Sequence, residues 1–234
     1  MTSGMKKFIA ITFLLAAFGF AQQKNDINPN FFLLGTLSDY MGRNQFSFKK
    51  EVIETYSEFE KPLVIRLTEL FKDNVLRIDS INNNVSPKKY DLVNKDINTS
   101  INSFYDFENY SLTHPKKDTI FKGKLKGAIF KNDSEKISFL LGCLSRFSSG
   151  TVKRSEKEFC LQFANSSSKF LLSQKIIAEL GFTINKIETL PNIPRINRIY
   201  FSVDKKNYLL FREFNLLGIE LQNALLHNYT RRKK

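Results

Sequence analysis

The sequence predicts an α+β protein made of two pseudo-symmetric αββαββα repeats, and three observations lead there. Phe32-Leu33-Leu34-Gly35-Thr36-Leu37-Ser38 returns as Phe139-Leu140-Leu141-Gly142-Cys143-Leu144-Ser145, with six of seven positions alike and 107 residues between starts in a chain of 234. A repeat that halves the chain decides the architecture before any single element is read. Each copy is followed by a similar run of short strands and helices. Each also sets a Gly among bulky apolar residues of a helix, where it costs up to about 1 kcal/mol against Ala. Close approach of two helix backbones is the natural packing reason, so Leu34, Gly35, Leu141 and Gly142 are expected to bring the lead helices together at the centre.

The second half is the clearer one. After Phe139 to Ser145, the polar break Ser148-Ser149-Gly150 precedes an expected hairpin through Thr151 to Arg154 and Phe159 to Phe163. Phe159, Leu161 and Phe163 alternate with Cys160 and Gln162, as in a half-buried strand. Asn165 to Ser168 supply helix-cap chemistry for Lys169 to Leu180, which stops at Gly181. Strands over Thr183–Thr189 and Arg195–Val203 follow. Pro191 and Pro194 mark the turn, because neither could sit centrally in a strand. A last helix is expected from Lys205 to Leu217.

In the first half the lead helix spans about Pro29 to Met41, with strands near Gln45–Lys49 and Val52–Phe59. Pro62 suits the first turn of a helix over Leu63–Phe71, since its fixed φ is already helical. Strands near Val75–Ile81 and Tyr90–Val93 and a helix around Thr99–Phe107 complete the unit. Asn82-Asn83-Asn84 with Pro87-Lys88-Lys89 reads as a hairpin loop. Residues 108–135 join the halves and carry Lys116, Lys117, Lys122, Lys124, Lys126 and Lys131. They read either as a solvated linker or as a basic helix over Ile120–Lys131. The expected divisions are 1–26, an apolar N-terminal segment; 27–115, the first repeat; 116–135, a basic linker; 136–217, the second repeat; and 218–234, a helix end and basic tail.

Two αββαββα units, each opened by an apolar helix with Gly among Leu, resemble the LAGLIDADG homing endonucleases and maturases. The stretches that carry the likeness are Ile27 to Gly35, Phe104 to Asp118 and Phe139 to Gly150, within about residues 27–217. The resemblance implies a saddle of antiparallel strands over nucleic acid. In an active member each lead helix ends in a carboxylate that holds a divalent cation, since two-metal cleavage stabilises both attacking and leaving oxygens. Here those positions are Tyr40 and Phe147, which cannot ligate a hard cation. Asp39, one residue away, is turned by about 100° on a helix, and the second copy offers only Arg146. No catalytic residue, metal or cofactor is therefore assigned, and binding without cleavage is expected.

The formal charge is +13, and it is lopsided: residues 1–115 hold 13 basic and 13 acidic side chains, and residues 116–234 hold 23 and 10. With the resemblance, this points to phosphate contacts from Lys49, Lys116, Lys117, Lys153, Arg154, Lys186, Arg195 and Arg198. Structured RNA is the favoured partner, in maturase-like or ribonucleoprotein fashion, with DNA the alternative. The internal pseudo-symmetry implies a monomer.

Near the start, Lys6-Lys7, the apolar Phe8 to Phe20 and the small residues before Gln22 have the layout of a secretory signal. The apolar core is short for a membrane span of about twenty residues. An organellar (mitochondrial) location is favoured from the family, and secretion or the periplasm is the alternative. Cys143 and Cys160 sit among apolar neighbours and read as buried free thiols. No zinc spacing or glycine-rich phosphate loop occurs, and His114 and His227 stand apart from any nucleophile. The tail Tyr229 to Lys234 is a short basic arm.

Overall fold

A computed structural model describes residues 27–46, 51–72, 76–83, 86–108, 120–149 and 157–232. The N-terminal apolar segment, Lys49, Lys116, Lys117, Lys153, Arg154, His114 and the 151–154 arm of the second-half hairpin lie outside the described residues.

Helix α1 (Pro29–Thr36) begins where Asn28 accepts from the Asn30 and Phe31 amides, with Pro29 in its first turn. Its equivalent α4 (Asp133–Phe147) begins in the same manner, Asn132 accepting from the Glu135 amide. A side chain at the N-cap satisfies donors that the helix itself leaves unpaired. The two helices run side by side in the same direction. The Asn28 amide donates to Ser138 Oγ at 2.9 Å, Gly35 meets Gly142, and the Thr36 carbonyl accepts from Arg146. A Cβ on Gly35 would strike the Phe139 carbonyl oxygen and come within 2.9 Å of Gly142 Cα, and one on Gly142 would strike the Phe32 carbonyl. Leu34 and Leu141 are fully buried beside them.

Around this pair the same sheet appears twice. In the first half, β2 (Val52–Ser57), β3 (Arg77–Asn83) and β4 (Ser86–Val93) form a sheet of order β2-β4-β3. In the second half, β7 (Phe159–Ala164), β8 (Thr183–Leu190) and β9 (Ile196–Ser202) form one of order β7-β9-β8. Each sheet thus places a late strand between two earlier ones, all antiparallel. The helices that fill each half are α2 (Lys61–Leu70) with α3 (Lys95–Asn102), and α5 (Ser167–Glu179) with α6 (Lys205–Arg232). The fold is α+β, two repeated units with central lead helices and antiparallel sheets.

Five expectations are corrected. α1 ends at Thr36, and a turn through Leu37–Gly42 replaces its expected last residues. β1 (Arg43–Phe46) leaves its sequence neighbour and pairs with β6 (Ile120–Leu125), which also pairs with β5 (Tyr105–Glu108). The segment read as linker or basic helix therefore supplies the central strand of a third sheet, and the helix expected over Thr99–Phe107 starts earlier, at Lys95, and ends at Asn102, its last expected residues belonging to β5. Of the residues read as the Asn82–Lys89 hairpin loop, those described are strand: Asn82 and Asn83 belong to β3 and Ser86 to Lys89 to β4. Finally, α6 continues through Gly218 to Arg232. Gly218 is a place of close approach and not a stop: a Cβ there would strike the Leu144 carbonyl and Ser148 Oγ of the α4 end.

Candidate functional site: the ends of the lead helices and the sheet faces

The C-terminal end of α1 exposes carbonyls that the helix cannot pair, and the helix dipole adds negative potential there. Two buried cations answer it. Lys169, on the first turn of α5, lies in phase with the buried stripe Leu172, Ser173, Ile176 and Ile177. Its Nζ donates to the carbonyls of Leu34, Gly35 and Leu37 at 3.3, 3.0 and 2.5 Å. Arg146, on the last turn of α4, donates to the Thr36 carbonyl at 2.7 Å and to Glu60 Oε1 at 2.7 Å. It also lies 3.5 Å from Glu54 and over the Tyr56 ring. The four carbonyls from Leu34 to Leu37 are thereby all engaged by cations of the other repeat.

Asp39 is a third carboxyl group of this cluster, beside Glu54 and Glu60. It is buried, and Ser166 and Ser168 at the start of α5 donate their hydroxyls to it. Ser166 is the N-cap residue of α5, yet its hydroxyl turns to Asp39 and makes no cap bond. The carboxylate thus sits at the positive end of α5 and ties the first repeat to the second. Burial pushes its carboxyl above the ordinary range, while Lys169 and the two hydroxyls pull it back. Burial likewise lowers Lys169, opposed first by Asp39. Asn165, with φ 47°, completes the seam: its carbonyl accepts from the Met41 amide at 2.8 Å and its side chain donates to Tyr40 Oη at 3.0 Å. Phe147 is half-buried, with Lys169 and Arg146 both near its ring. The sequence reading missed Lys169, Arg146 and Asn165 as site residues. The periodicity of α5 does place Lys169 on the buried face, and that was the available clue.

The strand surfaces are less basic than the composition implies. On the second sheet, Arg198 donates to Gln162 at 2.8 Å and to Glu188 at 3.2 Å, and Lys186 donates to Glu188 at 3.0 Å. Tyr200 joins through its hydroxyl, which donates to the same carboxylate. These donors hold Glu188 below the usual carboxylate range. Arg195 lies apart from that network, exposed at the base of the β8–β9 turn. On the third sheet, Lys124 pairs with Glu108 and Lys126 with Asp106, so part of the lysine-rich joining segment is neutralised by β5. The first sheet sets Asp79 opposite Asp91. Among the described residues, no group of three or more His, Cys, Asp and Glu side chains converges as a metal site.

Two cavities of similar size flank the turn after α1. One, of about 240 Å³, is lined by Tyr40, Arg43, Asn44, Gln45, Glu54 and Asn102 among others. The other, of about 230 Å³, lies on the far side of Tyr40 against Phe147, Ser148 and Gln162.

No family model and no curated protein matches this chain. Among solved structures, it is similar to a mesophilic variant of the homing endonuclease I-DmoI, at 14% identity and TM-score 0.45, over 82% of this chain and 97% of that one. It is also similar to I-DmoI crystallised with DNA and Ca, at 14% identity and TM-score 0.44, over 80% of this chain and 88% of that one. No residue role is carried over from either.

Proposed function

We propose that this chain binds nucleic acid through its strand surfaces and does not cut it, with structured RNA as the ligand. The observation that carries the reading is the mixed character of the second sheet. Gln162, Arg198, Glu188 and Lys186 gather donors and acceptors on one network, with the hydroxyl of the buried Tyr200 tied into it. Tracking a continuous duplex backbone calls for unneutralised cations. A surface of hydrogen-bonding groups suits irregular, partly single-stranded RNA, which is read by shape and base edges. The net charge of +13 supplies the long-range attraction. Binding without cleavage follows from the positions where the resemblance expects acids: Tyr40, in the turn after α1, and Phe147, the last residue of α4, carry no carboxylate, and Asp39 is spent on Ser166 and Ser168.

The test is a filter-binding titration against structured RNA and duplex DNA of equal length, repeated at rising salt. Tighter retention of RNA, with a shallow salt dependence, is the expected result. Preference for duplex DNA would overturn the choice of ligand, and retention of neither would overturn the function.

A further inference from the structure

We propose that the 240 Å³ cavity beside α1 receives a single unpaired nucleobase, a proposal that rests on the nucleic-acid reading above. Its size excludes most ligands: typical small-molecule pockets run to about 300–1,000 Å³, so a flat one- or two-ring group is what this space holds. Its lining fits a base edge and not a phosphate. Among the described residues no lysine lines it, whereas Arg43, Asn44, Gln45, Glu54 and Asn102 do. A carboxamide carries a donor and an acceptor side by side, which is what the edge of a nucleobase presents.

The site is built rather than incidental. Arg43 is only 4% exposed. It is fixed by Nε to Asn102 at 2.8 Å and by Nη2 to Asn98 and the Ile53 carbonyl, both at 3.0 Å. Nη1 takes part in none of these bonds. Glu54 is held from the opposite wall by the Ser38 amide at 2.6 Å and the Thr55 amide at 3.1 Å. Fixed donors and acceptors lose little freedom on binding, and that is the requirement for discrimination. Tyr40 also lines the cavity, and the residue is 48% exposed although its hydroxyl is anchored by Asn165. A held, half-exposed ring is a stacking platform for a base swung out of a strand.

The experiment uses the full chain and a single-stranded oligoribonucleotide with one central 5-iodouridine, alone or annealed to its complement. Irradiation is followed by peptide mapping, and retention is measured in parallel. The expected adduct lies within residues 40–45 and disappears when the probe is annealed. The double variant Asn44→Ala, Gln45→Ala, whose changes fall on a short edge strand, should bind the single strand about tenfold more weakly and the duplex unchanged. Retention of the single strand with adducts only elsewhere, or an adduct that survives annealing, would overturn the pocket and leave the binding function standing. Failure to retain either probe would overturn both.

Discussion

At the scale of single residues, the least replaceable side chain is Lys169. Its ammonium answers three carbonyls of α1 and faces Asp39. Lys169→Met would leave those carbonyls and a buried carboxylate without a cation, and breaking such an arrangement costs about 3–5 kcal/mol. Urea denaturation should show that loss. It should also depend on pH in one direction. Burial already raises the Asp39 carboxyl above its ordinary 3.8, so the folded chain holds that proton more tightly than the unfolded one. A contribution of this sign is complete below 3.8 and is lost as pH rises through the folded value. Without Lys169 the carboxyl rises further, so the gap between native and variant stability widens from acid towards neutrality. A gap independent of pH would show that Asp39 and Lys169 are not coupled. Cys143 offers a second check: it is fully buried, and its thiol is pushed up to about 12. Neither it nor the buried Cys160 should react with a thiol reagent until the chain unfolds.

At the scale of elements, three glycines set the helix spacing. Gly35→Ala and Gly142→Ala each drive a methyl into a carbonyl of the facing helix, and overpacking of this kind costs about 1–3 kcal/mol. Because both substitutions push on one contact, the double variant should lose less than the sum of the singles, which a double-mutant cycle in urea would measure. Much at this scale was legible. The repeated heptapeptide and the alternation of Phe159, Leu161 and Phe163 both speak of local pattern, which the chain carries within one window. What was not legible depends on distant partners. Nothing within Arg43–Phe46 says that its strand pairs with Ile120–Leu125, and nothing around Gly218 says that the end of α4 packs against it. The site divides the same way: the absence of acids at Tyr40 and Phe147 could be read directly, but the burial of Asp39 required Ser166 and Ser168, 127 and 129 residues away.

At the scale of the whole molecule, net charge is a poor guide to where nucleic acid would lie. Asp106, Glu108 and Glu188 quench lysines and an arginine that composition alone would count as free. Arg195, exposed and outside these pairs, should therefore matter more than Arg198. Arg195→Glu is expected to weaken RNA binding and flatten its salt dependence by about one phosphate contact. Arg198→Gln should have the smaller effect, and the reverse order in a salt titration would put the contact surface elsewhere.

The glycine contact between α1 and α4 bears on ancestry. Residues 35 and 142 occupy corresponding places in the two copies and touch each other, so the junction is close to self-complementary. A half-length chain carrying one such helix could satisfy the same geometry by meeting its twin across a two-fold axis, as an isologous dimer does. Fusion of two such halves would free each copy to drift, provided the shared contact stayed small. The cluster of Asp39 with Lys169 has no twin, because Arg146 takes the place in the second copy that Asp39 takes in the first, and it marks where the two halves have diverged.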